Sequence, residues 1–443
     1  MRFSLLLFLA ACGACISIVV RADEAPRLFV PQLVGAQYTF IDQHQDALRS
    51  PYAGPLSLMA RGDSEQSHTF GAYFGMQLPA HFQFYFDVEM FKGEGVSGAT
   101  GVGAIVNGDV VHSGNAGLGK RAYVARRYLR WSLPLGDAKQ SVERAQDQLP
   151  GTEASRHIEA KLGRMTPADD FDKNRYANSA RTQFMNGAFF NTLAWDYAAD
   201  TRGYTNGLLL AYVSPHWTLR YGAYQMPTHA NGQTLAAPLK RARGEQIQLT
   251  LRQSPDSWAL RVLVYRNIAR MGIYQDALAV AEMTGKAPDI RADDRDGRRK
   301  YGYALNAELP LADGGDTGLF ARYGWNDGHT ESFAFTEVDR DASLGAQVSG
   351  VHWHRAQDRL GIAFDMDALS RNHHNYLAAG GSGFLLGDGR LDYAHEQVAE
   401  LYYALQLLPH LTLSPDFQFI RNPGYNRDRG PARFLGIRAH IEY

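Results

Sequence analysis

The residues of this chain with the most varied chemistry lie between Met165 and Tyr204. Asp169, Asp170, Asp172, Arg175, Arg181, Asp196, Asp200 and Arg202 stand there beside Phe184, Phe189, Phe190, Trp195, Tyr197 and Tyr204. Planar charged groups bond paired hydroxyls, and an aromatic face packs on the C–H surface of a pyranose ring. That mixture suits weak carbohydrate binding. It equally suits a loop packed on its own aromatics, and the two readings are compatible. Other motifs carry less. Gly93-Glu94-Gly95-Val96-Ser97-Gly98 matches G-x-G-x-x-G, but glycine-rich chain from Ala99 to Gly103 follows it instead of an amphipathic helix, so it reads as a loop. Asp170-Phe171-Asp172-Lys173-Asn174 begins like a calcium loop. Arg175 and Arg181 stand where an EF-hand needs glycine and glutamate, which leaves only a looser calcium site open. His352, His354, His373 and His374 lack a carboxylate or cysteine shell at metal spacing and read as loop or strand-end residues. There is no G-x-S-x-G elbow and no H-E-x-x-H helix. No cofactor, metal or catalytic residue is expected.

The elements that must position this loop are strands. From Arg433 to Tyr443 the chain alternates Leu435, Ile437, Ala439, Ile441 and Tyr443 with Phe434, Gly436, Arg438, His440 and Glu442. Successive strand side chains point to opposite faces, so one wall is apolar and the other mostly polar. Phe82 to Met90, Ile247 to Arg252, Trp258 to Val264 and Leu360 to Asp367 repeat the pattern. Many such segments of about ten residues are what a bilayer-spanning barrel needs. Short Pro- and Asp-bearing turns, such as Leu78-Pro79-Ala80 and Ser254-Pro255-Asp256, alternate with long connections. Seven turns and eight loops imply an all-β, transmembrane antiparallel barrel of about 16 strands. The first strand is expected near Phe29 to Ile41 and the last at Ala432 to Tyr443, with the weakest alternation near Ala342 to Trp353. Sixteen strands leave an aqueous channel, not a packed core. The seventh connection, Pro134 to Ser155, contains a charged stretch, Asp137 to Gln148, that reads as a small periplasmic helix. Inward positions of the alternation add Asp87, Glu89, Arg126, Arg130, Arg220 and Arg261 as channel-lining candidates.

The N-terminus reads as an export signal: Arg2, an apolar run from Phe3 to Val20, and a small-residue site at Val20-Arg21-Ala22. The alternative is a lipoprotein box, Leu9-Ala10-Ala11-Cys12, acylated at Cys12. Cleavage after Ala22 leaves a single barrel domain, residues 23–443, without cysteine, because Cys12 and Cys15 are the only two. The mature chain has 43 basic and 46 acidic residues, so nothing points to nucleic acid. No mature segment is apolar for the length a transmembrane helix requires.

Gly163-Arg164, Asp169-Asp170-Phe171-Asp172, Tyr176-Ala177-Asn178, Ala180 to Asn186 and Ala194 to Thr205 resemble the carbohydrate-selective porins of the OprB type. So do Gly93 to Gly103 with Asn107-Gly108, Pro415 to Ile420, and Asn422 to Pro431. The matches follow the family's order over nearly the whole mature chain. Departures at Asn191 to Leu193 and Asp289 to Lys300 bear on solute preference more than on fold. The resemblance implies a barrel in the Gram-negative outer membrane, narrowed by infolded loops, that passes glucose-like monosaccharides by diffusion. Its arginine-rich constriction maps onto Arg181, Trp195, Asp196, Tyr197, Asp200 and Arg202. Sugars and outer-membrane lipids are the expected partners, and a homotrimer is a candidate assembly. The alternatives are a general or anion-preferring porin, an outer-membrane hydrolase, and an adhesion or export component.

Overall fold

In the computed structural model, which describes residues 32–110, 121–334 and 337–443, alternation becomes a closed wall. The export segment, Cys12 and residues 29–31 of the expected first strand lie outside the described residues. The wall comprises β1 (Leu33–Gln45), β2 (Asp63–Gln77), β3 (Phe82–Gly93) and β4 (Tyr123–Pro134). After a separate hairpin, β5 (Lys139–Val142) and β6 (Gly151–Ala154), it continues with β7 (His157–Met165), β8 (Thr205–Val213), β9 (Trp217–Gln225) and β10 (Arg243–Arg252). It is completed by β11 (Ala259–Met271), β12 (Arg295–Ala312), β13 (Thr317–Asn326), β14 (Arg340–Ser349), β15 (Arg359–Ala368), β16 (Glu396–Leu408), β17 (Leu411–Arg421) and β18 (Ala432–Glu442). Sixteen strands pair antiparallel with their neighbours, and β1 pairs with β18 from Gln37↔Glu442 to Gln45↔Phe434. The helices α1 (Tyr274–Thr284) and α2 (Arg371–Ala378) lie in long loops.

The faces sort as the alternation requires. On β18, Leu435, Ile437 and Ile441 are 53%, 42% and 43% exposed on the outside, while Phe434, Arg438 and His440 are buried inside. One irregularity matters for the channel. Asp87 pairs with Arg126 but Val88 pairs with Val124, so Ala125 is an extra residue, a β-bulge. Ala125 and Arg126 are both buried, and the bulge brings Arg126 opposite Asp87 inside the barrel.

Two local expectations are corrected. The weakly alternating strand runs from Arg340 to Ser349, and Gly350–Trp353 is a 3₁₀ turn. The charged stretch Asp137 to Gln148 is not a helix. Lys139–Val142 pairs with Gly151–Ala154, and the chain between them turns at an Ala145↔Gln148 bridge. A dozen residues, five of them charged, make a marginal helix in isolation, whereas the hairpin gains cross-strand hydrogen bonds.

The long loop 166–204 folds into the lumen and fills much of it. Phe171, Tyr176, Phe184, Phe189 and Trp195 are all essentially buried. Phe184 meets Tyr402 edge-on at 4.8 Å and Phe320 at 5.6 Å. The inward polar side chains of β10–β18 hold this loop by its backbone. Glu400 accepts from Asn186 N at 2.9 Å, Asp341 from Ala194 N at 2.8 Å, and Arg438 donates to the carbonyls of Ala180 and Gln183 at 2.7 Å. Arg322 pairs with Asp172 at 3.3 Å and donates to the Ala177 carbonyl at 2.7 Å, with both charged side chains out of water. Removing one partner of a buried pair leaves the other charge uncompensated, at a cost of about 3–5 kcal/mol. Arg322→Ala should therefore loosen loop 166–204 without opening the sheet. Limited proteolysis is expected to cut within the loop, and channel conductance to rise, while the folded barrel keeps its heat-modifiable mobility in gels.

Candidate functional site

Part of the lumen stays open. A cavity of about 1420 Å³ runs beside β1–β4, β7 and β9, bounded by loop 166–204 and by the hairpin segment 136–154. Seven of the twelve sequence candidates line it: Glu89, Arg126, Arg130, Arg181, Tyr197, Arg202 and Arg220. The bulged wall and the infolded loop bring six of these into two ion-paired clusters and their aromatic border.

The upper cluster centres on Glu89. Arg181 donates Nη1 to Glu89 at 3.0 Å and Nε to Asp109 at 2.6 Å. Tyr204 and Tyr123 donate their hydroxyls to the other Glu89 oxygen at 2.7 and 3.0 Å. The Arg202 guanidinium lies 4.1 Å above the centre of the Tyr123 ring, a cation–π stack. The lower cluster centres on Arg126. It holds Asp169 through both Nε (2.7 Å) and Nη2 (2.9 Å), Asp87 through Nη1 (3.1 Å), and Asp147 at 3.2 Å. Below it, Arg130 binds Glu159 and Glu153, each at 2.6 Å, and Lys161 binds Asp170 at 2.5 Å. Arg220 differs: its buried Nε has no hydrogen-bond partner among the described residues.

The remaining five candidates do not line the cavity. Trp195 is packed between Phe171 and Tyr197 and donates to Gln246 at 3.3 Å. Asp196 is a buried staple that accepts from Lys300 at 2.9 Å and from the backbone of Phe333 and Ala334. Asp200 pairs with Arg164 at 2.6 Å and caps the turn to Tyr204. Asp87 sits behind Arg126 and Gln146, and Arg261 is tied to Glu308 at 3.1 Å on the filled side. An acidic or aromatic residue in the loop looks the same in sequence whether it faces water or the wall. Sequence reasoning also missed lining residues. Glu159 and Lys161 alternate inward on β7 and could have been found that way. Gln146 and Asp147 could not, because their segment was read as a helix.

One guanidinium cannot neutralise three carboxylates. Burial opposes the charge on Asp169, but the Arg126 fork outweighs it and holds the carboxyl below its usual range. Burial pushes Asp147 well above that range; Arg126 opposes the shift and the neighbouring Asp87 reinforces it. Burial also pulls the Lys173 ammonium down, against the attraction of Asp169 and Asp170.

The chain is similar to known proteins in sequence and in fold. The model of a family described as carbohydrate-selective porin, OprB family, matches residues 77–443. A protein of Acinetobacter baylyi named "Putative porin QuiX" is 21% identical over 309 residues, which are 65% of this chain and 66%, just under two thirds, of that protein's length. The high-pH structure of Pseudomonas putida OprB superposes with a TM-score of 0.66 at 16% identity, covering 93% of this chain and 94% of that one.

The Arg126 cluster should make the ion selectivity of the channel depend on pH. Asp147, with its raised pKa, takes up a proton above the usual carboxylate range as pH falls, whereas Asp169 stays ionised to lower pH. The channel wall then loses negative charge, so the reversal potential under a salt gradient should shift toward anion preference on mild acidification. In Asp147→Asn that early step should be absent.

Proposed function

Since the chain belongs to the carbohydrate-selective porin, OprB family, we propose that the open part of its lumen passes neutral monosaccharides such as glucose by passive diffusion. The observation that carries this reading is the pairing of charges along the cavity. Six arginines and three lysines face eight carboxylates among the described lining residues, so the wall is dense in donors and acceptors but close to neutral. Tyr85, Tyr123, Tyr128, Tyr197 and Tyr204 border the same path. A sugar descending from the long-loop, extracellular end exchanges water for hydroxyl bonds to Arg181, Glu89 and Asp169, with a tyrosine ring against one C–H face. Binding must remain weak, because a tightly held solute would not leave. A wall of unpaired arginines would favour anions; the balance observed here favours uncharged polyols over the general or anion-preferring alternative.

The same reading includes an outer-membrane address reached through cleavage after Ala22, supported by Val20-Arg21-Ala22, and a channel without enzymatic activity. It also includes a homotrimer, the assembly common among porins of this width. The N-terminal sequence of the mature protein and the mass of the detergent-solubilised complex test the first and last of these.

Single-channel conductance in a planar bilayer with sugars titrated in tests the transport itself. Partial block by glucose at millimolar concentration is the expected result, and channels indifferent to monosaccharides would overturn the reading. Arg202→Ala removes the stack on Tyr123 and should weaken sugar block several-fold with the barrel intact. Arg181→Ala releases Glu89 and Asp109, so it should shift the open channel toward cation preference as well as altering block.

A further inference from the structure

The hairpin of β5 and β6 starts at the short-turn, periplasmic end, yet its connecting segment 143–150 does not stay there. Gln146 donates to Asp87 at 2.8 Å and accepts from Gln37 at 3.1 Å. Asp87 lies five residues above the start of β3, so the tip climbs roughly 17 Å along the wall at about 3.3 Å per residue. Asp147 reaches Arg126 at 3.2 Å, and Leu149 N donates to the Tyr85 hydroxyl at 3.2 Å. The tip is a tight turn: Ala145 bridges Gln148, and Asp147 adopts φ of 55°, a left-handed conformation that Asp tolerates better than most residues. Its base is clamped as well, by Glu153 accepting from Arg130 at 2.6 Å and Ser132 at 2.8 Å. Ala145, Gln146, Asp147, Gln148 and Leu149 all line the cavity.

We propose that segment 143–150 is a second selectivity element, a finger inserted from the periplasmic side that narrows the sugar path opposite loop 166–204. Its Gln146 and Asp147 take part in deciding which solutes pass. The geometry is a continuous polar chain, Gln37–Gln146–Asp87–Arg126–Asp169, running from β1 through the finger and the β3–β4 wall to the infolded loop. Two insertions from opposite ends of the barrel thus share one guanidinium. Gln146 and Asp147 present amide and carboxylate groups to a polyol at the depth where Arg126 stands. Held at tip and base, the finger acts as a fixed part of the filter and not as a swinging gate. A disaccharide, longer and less able to turn past it, is excluded more strongly than a monosaccharide.

This inference rests on the cavity being the solute path, and its specificity part on the sugar reading above. Two measurements separate them. In the first, residues 144–149 are replaced by a short glycine linker, with Glu153 and Arg130 retained. Ion conductance, which needs no sugar, should at least double, and the ratio of mono- to disaccharide flux in liposome swelling should fall. A folded deletion variant with unaltered conductance and ratio overturns the proposal. In the second, Gln146→Cys is placed in the full-length chain, which has no cysteine beyond Cys15. Reaction with a bulky methanethiosulfonate should lower the conductance of channels already open in the bilayer; an unaltered conductance after complete labelling overturns the proposal even if the deletion fails to fold. A wild-type channel indifferent to sugars, combined with a wider deletion channel, would refute the sugar reading and the finger's sugar role but keep the narrowing.

Discussion

The ladder between β1 and β18 closes the sheet, and with it each of the sixteen barrel strands gains a partner on both sides. A bilayer offers no water to unpaired backbone groups, so a spanning sheet must have no edge. Closure at sixteen strands, however, makes a lumen too wide for side chains from the wall to fill. Inward positions are then either wetted or covered by other chain. In this protein most inward positions of β10 to β18 meet loop 166–204, while β1 to β4, β7 and β9, with Arg252 of β10 and His440 and Glu442 of β18, border the open cavity.

The division explains why the charged inward residues have such different roles. Arg322, Arg438, Glu400 and Asp341 spend their hydrogen bonds on the backbone of the loop, which has little regular structure of its own to satisfy it. Arg126, Arg130 and Arg181 look equivalent in sequence but stand at the border of the cavity, where each is shared among several carboxylates. Such sharing holds side chains in place and keeps the wall close to neutral. It lines the cavity with many shared hydrogen-bonding groups in preference to one strong ionic site.

Much of the architecture was legible because a half-wetted strand must alternate. Phe82 to Met90 and Arg433 to Tyr443 have only one arrangement that puts their apolar residues outside, since a one-residue slip would reverse every side chain. Long loops between such strands were equally plain. The segment Asp137 to Gln148 was misread because four-residue strands are too short to show a period, and their pairing is made across the hairpin. Trp195 and Asp196 were assigned to the constriction because the motif that carries them resembles the family's constriction loop. Inside the barrel, though, a loop has a face toward the wall and a face toward the path, and nothing in its composition separates the two.

The sequence by itself determined the barrel, its strand count and, away from the bulge at Ala125, the direction of most strand residues. These follow from a local rule, the two-residue period of a strand facing lipid on one side. Only the tertiary structure decided which part of the lumen stays open and which arginines border it, and that a periplasmic hairpin rises to meet the loop. Those features depend on contacts such as Arg126 with Asp147 and Arg322 with Asp172, between residues far apart in the chain whose meeting is set by how two insertions pack against one closed wall.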